Sequence, residues 1–221
     1  MADFSESEWR AAHDTFLKWL TESLGISDAL LGSLSSDDDW TFVIKLHGIL
    51  EAGLNHLLLT HLDNPKLNRI VSKLETSNPQ IGKIAFLKAY NLLPDEALKF
   101  IQLFSEIRNK AVHDIKNFDL NLVEHTKTLD GKQLRNWMTA LASGLFPTTK
   151  IDDVDVPSTD VVRDNPRYGI FCSCLAIMVR VLQHQIRTEH DRKVLDGVRE
   201  IGALAFEHYG FSVPSLTTPK K

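Results

Sequence analysis

Arg108, Asn109 and His113 lie within six residues of one another, in the stretch Phe104-Ser105-Glu106-Ile107-Arg108-Asn109-Lys110-Ala111-Val112-His113-Asp114. A guanidinium keeps its charge and can grip a phosphate in a planar fork, whereas an imidazole exchanges a proton near neutral pH. Together they have the parts for phosphodiester chemistry that needs no metal. His113 would act as general base on a ribose 2′-hydroxyl or as general acid toward the leaving oxygen, and Arg108 would stabilise charge on a phosphorane-like transition state. Asn109 would orient the histidine or the phosphate. On a regular helix Asn109 and His113 are four apart and share a face, while Arg108 is displaced around the axis. Bringing all three together takes fraying near Asp114 or a long reach by Arg108.

Spacing by itself says little. With 10 Arg and 9 His among 221 residues, an Arg and a His separated by four to six residues arise by chance roughly once per chain. The weight comes from context, because Asn109 follows Arg108 directly at the polar end of a strongly apolar helix. The competing structural reading is that basic side chains simply cap a helix C-terminus.

Other chemistry-bearing residues are less pointed. His47, Glu51 and Asn55 recur at four-residue steps, a polar stripe that reads as a solvated face; turned toward the motif, Glu51 would pair with Arg108 or hold His113. His56 and His61 are five apart, which does not suit two ligands on one helical face, and no metal site is expected. Cys172 and Cys174 sit inside the apolar run Gly169 to Val179, where reduced core thiols fit better than a disulfide or a zinc module. Asp152, Asp153 and Asp155 lack the glycine and closing glutamate of a calcium loop. No glycine-rich phosphate loop or Gly-x-Ser-x-Gly elbow occurs, so no cofactor is implied.

The elements that must position these residues are helical. Apolar residues recur at helical spacing nearly throughout, and no period-two run flanked by hairpin turns stands out, so the fold class is all-α, a bundle of about six to eight helices. A first helix runs from Ser7 to Leu24, with Trp9, His13, Phe16, Trp19, Leu20 and Leu24 on one face and Gly25 as its stop. A second begins after Ser35-Ser36-Asp37-Asp38-Asp39 and carries Trp40, Val43, His47, Leu50, Leu54, Leu57 and His61 along a core-facing seam. A short helix over Lys66 to Glu75 and another through Ile81, Ile84, Leu87 and Leu92 precede Pro94-Asp95-Glu96, which opens the motif helix. A turn at Lys116 to Asp119 and a helix from Gly131 to Leu145 follow. Residues 146–165, with two prolines and several acids, read as a loop. Pro166 to Tyr209 forms one or two helices in which Gly197 and Gly202 suit close packing, and residues 214–221 form a frayed tail.

The bounds from composition agree with a globular chain. With 43% hydrophobic residues and a net charge of −4, residues 1–213 can bury a core as one domain, and its surface does not attract nucleic acid everywhere. The N-terminus lacks the apolar core of a signal peptide, and Arg180 interrupts the longest apolar run, so a soluble cytoplasmic protein without a membrane partner is expected.

The segment from about Trp40 to Val123 resembles the HEPN superfamily, all-helical proteins with an Arg, four to six residues, then His, often with Asn after the Arg. The order is similar too: a long apolar helix over Leu46 to Leu58, a short helix, the segment Ile81 to Leu93, then Arg108-Asn109 and Ala111-Val112-His113. The resemblance implies a core at 38–128 within a helical bundle and a homodimer with two motifs facing each other; the C-terminal helices at 166–209 are extra to that core. It also implies a metal-independent endoribonuclease, acting on RNA in toxin, defence or RNA-processing settings. Arg108 and His113 match the catalytic pair and Asn109 the polar position after it. Glu51 and His47 are expected as supporting residues from their place on the polar stripe of the second helix, not from the resemblance. An antitoxin or a regulatory protein would be a further partner. The Arg-Asn then Ala-x-His pattern followed by Phe118-Asp119 also resembles the mannitol operon repressor-like proteins, which implies a regulatory helical module instead.

Overall fold

Asp38 and Asp39 start the helix that packs against the motif helix. Asp38 accepts a hydrogen bond from the Thr41 amide at 2.9 Å and another from the Thr41 hydroxyl at 2.6 Å, and these bonds hold its carboxyl below the ordinary carboxylate range. A side chain satisfying a free amide at a helix start is the usual N-cap. In the computed structural model, which describes residues 6–113, 119–151 and 154–208, that cap opens α3, Asp39–Leu62. Asp63 closes it in the left-handed region, at φ 47°.

Ten α-helices are present among the described residues, and the chain is all-α, with more helices than the six to eight expected. Before α3 come α1, Glu6–Leu24, and α2, Asp28–Ser33; after it come α4, Asn68–Val71, α5, Lys83–Ala89, and α6, Asp95–His113. Then follow α7, Leu122–Lys127, α8, Gly131–Leu141, α9, Ser158–Asp164, and α10, Pro166–His208. The surplus consists of α2, α7 and α9, which are six or seven residues long. Such helices have too few turns to display a periodic stripe.

The stretch 146–165 is corrected from a loop to a small hairpin and a helix. Strand β1, Thr148–Ile151, pairs antiparallel with β2, Val154–Pro157, with Thr148 opposite Pro157 and Ile151 opposite Val154. The Ser158 hydroxyl donates to the Phe146 carbonyl and its amide to the Pro147 carbonyl, closing the hairpin as α9 begins. Four-residue strands are too short to print a convincing alternation.

Chain contacts divide the protein into two units, residues 1–182 and 183–221. In the first, the expected seam on α3 is inside: Val43, His47, Leu50, Leu54 and Leu57 are buried. On α1, Trp19 and Leu20 are buried, while the side chains of Trp9 and His13 lie outside the described residues. Gly25, at φ 68°, ends α1 in a conformation that glycine adopts without a Cβ penalty. In the second unit the described residues are all helical, with Ile186, Val194, Leu195 and Val198 exposed. Gly197 meets nothing within 4 Å and is no packing point, while Gly202 and the expected tail lie outside the residues described at that detail.

Close approach occurs at other glycines. A Cβ on Gly169 would stand 2.5 Å from Val162 Cγ1 and 3.2 Å from Leu141 Cβ, so its absence lets α10 lie against α9 and α8. Helices α3 and α10 (Pro166–Val198) are long and apolar enough to cross a membrane by length and composition. For α3 the apolar side chains are spent on the core of the first unit.

Candidate functional site

Helices α3 and α6 run antiparallel, tied by two contacts. The Trp40 indole N–H donates to the Ala111 carbonyl at 2.9 Å, and His47 Nε2 lies in a hydrogen bond 3.1 Å from Ser105 Oγ. His47 also packs against Phe104, with ring centroids 5.6 Å apart. It is 5% exposed, so the solvated stripe expected at His47 is corrected to a buried position. The reason is helical phase: His47 lies on the seam with Val43, Leu50 and Leu54, and Ser105 supplies the hydrogen bond that makes burial tolerable. Burial pushes its pKa down to about 4, with Glu51 opposing the fall and the charges of Arg108 and Lys83 adding to it.

Glu51 faces neither member of the motif. Its carboxylate meets Lys83 Nζ at 2.7 Å and accepts from the Thr76 hydroxyl at 3.3 Å. Lys83, on the first turn of α5, is wholly buried and also donates to the Leu74 carbonyl at 2.7 Å. Partial burial would raise the Glu51 carboxyl, but the bond to Lys83 and its charge outweigh that and hold it below its ordinary range. The pairing of Glu51 with Arg108 or His113 is therefore replaced by a pair with Lys83. A buried ammonium needs a carboxylate, and the packing of α5 on α3 puts that of Glu51 within its reach.

Arg108 is half-buried and donates from Nη1 to Asn109 Oδ1 at 3.1 Å. Asn109 thus orients the guanidinium rather than the histidine. Among the described residues, no carboxylate comes within 4.0 Å of Arg108. His113 is exposed at the last position of α6. Because the helix runs unbroken to His113, five residues separate the two side chains by roughly 140° around the axis. Arg108 lies on the side that acts on His47, and His113 on another side. One copy of the chain does not bring them together along this helix.

Sequence reasoning missed Lys83, Thr76 and Ser105 as parts of this cluster. Lys83 carried one legible signal: it stands four residues before the core residue Leu87 and next to Ile84, an apolar phase where a lysine needs a partner. Cys172 and Cys174 are free thiols, Cys174 buried and pushed well above its ordinary pKa by that burial. Among the described residues, no group of three or more His, Cys, Asp or Glu side chains is placed to hold a metal ion. No family model, no curated protein and no solved structure matches this chain.

Proposed function

We propose that this chain binds RNA and cleaves it as a HEPN-like, metal-independent endoribonuclease. Arg108 of one copy and His113 of a second copy would face the same phosphodiester. The observation that carries the reading is the state of Arg108. It is a half-buried guanidinium, steered by Asn109 and paired with no described carboxylate, and a charge so placed is well suited to receive an anion. His113, exposed at the end of the same helix, has an ordinary route to solvent and substrate. The divergence of the two side chains on one helix is the reason the reading calls for a homodimer.

The test is purified protein with mixed RNA in EDTA, comparing the wild type with Arg108→Ala and His113→Ala. Loss of at least about a hundredfold in rate for each variant is expected. Equal degradation by all three would mark a contaminant, and no degradation by the wild type would remove the enzyme reading.

A second reading has one observation in its favour. Lys110 and His113 occupy the last turn of α6, where basic groups complement the negative end of the helix dipole. On that reading the chain is a non-enzymatic regulatory or protein-interaction module, as in the mannitol operon repressor-like proteins. Of the Phe118-Asp119 pair behind that likeness, Phe118 lies outside the described residues.

A further inference from the structure

The face of α6 opposite Arg108 borders a groove. Toward the N-terminal end it is lined by Glu96, Lys99, Gln102 and Glu106 of α6 together with Asn136 and Thr139 of α8. A second hollow shares Leu103, Glu106 and Asn136 with the first and continues past Lys110, walled by His125, Gln133 and Trp137. From Glu96 to Lys110 the groove follows α6 for about 21 Å, at 1.5 Å per residue. By helical phase Lys99, Leu103, Glu106 and Lys110 form one line, and His113 falls on the same side one turn further on.

The lining has a chemical character. Its two carboxylates and two ammonium groups cancel, so it does not collect phosphates. Of its amides, Gln102 gives an N–H to Glu106 at 3.4 Å and Gln133 accepts the Asp130 amide at 3.0 Å in the capping box of α8. Asn136 presents a donor beside an acceptor, which is what a base edge offers in return. Leu103, Ile107 and Leu129 add apolar floor. On the inner wall Trp137 is 2% exposed, and its indole N–H is buried without a hydrogen-bond partner. Its ring instead meets His125 nearly edge-on, with centroids 5.1 Å apart. Burial first, and then the charge of Lys110, lower the His125 pKa, which favours the uncharged ring beside a base.

We propose that the α6–α8 groove seats unpaired bases of an RNA strand whose backbone continues toward His113, with Asn136 reading the base edges. This rests on the ribonuclease reading of Arg108 and His113. It adds a base preference set by the groove, with bases turned inward and phosphates left outside a lining of no net charge. Asn136 is exposed on α8, so replacing it leaves the core and the Asp130–Gln133 cap of that helix intact.

The test uses full-length His113→Ala protein, to keep RNA whole, and fluorescence anisotropy with short oligomers of A, C, G and U. The expected result is a ranking among the four. Asn136→Ala, added to that background, should weaken the favoured oligomer roughly tenfold and flatten the ranking. Equal affinity for all four, or a ranking that survives Asn136→Ala, would overturn the groove while leaving the ribonuclease reading in place. Absence of RNA binding, with wild-type protein also inert toward RNA, would remove both. Loss of the ranking only when Arg108 is replaced would place base reading elsewhere and also count against the groove.

Discussion

Lys83 Nζ sits 2.7 Å from Glu51 Oε1 with no part of the lysine side chain exposed, while the glutamate side chain keeps 35% of its surface. The two ends of this ion pair are therefore unequal. Glu51→Gln leaves a buried ammonium without a counter-charge, served only by neutral acceptors, the new amide oxygen with the Leu74 carbonyl and the Thr76 hydroxyl, and should cost about 3–5 kcal/mol. Lys83→Met leaves a carboxylate that water can still reach, and should cost less. Urea unfolding of both single variants and the double variant checks this; the double should lie closer to wild type than Glu51→Gln does.

His47 should make stability depend on pH. Its folded pKa of about 4 lies below the ordinary 6.5, so the unfolded chain binds a proton that the folded chain refuses between those values. Stability from this group is thus fully present above about pH 6.5 and is lost as pH falls toward 4, on the order of 3 kcal/mol in total. His125, also lowered, loses stability in the same direction as pH falls below its ordinary value, and Glu51 adds its own loss as pH falls below the ordinary carboxylate value. The difference between wild type and His47→Gln in urea titrations from pH 7 to 4 isolates the His47 share, and a constant difference would refute it.

Two glycines should respond differently to alanine. At Gly53 the new methyl would meet the Sδ and Cε ends of Met178, a flexible thioether that can turn aside. At Gly169 it would meet Val162 at Cγ1 and Cβ and Leu141 at Cβ, held on two other helices. Gly169→Ala should lower stability by about 1–3 kcal/mol and Gly53→Ala by less, as read from thermal or urea unfolding.

The shared-site form of the ribonuclease reading predicts complementation. Arg108→Ala and His113→Ala proteins, each inactive alone, should regain roughly a quarter of wild-type activity when mixed under exchange, because half the dimers then hold one intact site of two. Failure to regain activity after confirmed subunit exchange would place both groups in one chain.

Much of this protein was legible in its sequence, because local physics decides it. The Asp38 cap, the apolar seam of α3, the stop at Gly25 and the opening of α6 at Asp95 all depend on residues a few positions apart. The order Arg108, Asn109, His113 is equally local, and the sequence alone placed it at a helix end. Tertiary structure decided the partners. His47 is buried against Ser105, 58 residues away, and Glu51 is taken by Lys83, 32 residues away, because α5 and α6 both pack on α3. No spacing rule within one helix contains that information. The unbroken run of α6 to His113 decided that Arg108 and His113 diverge, and the packing of α6 on α8 made the groove beside them. Helical periodicity names which residues lie inward, but only the packing of distant segments determines what each of them meets.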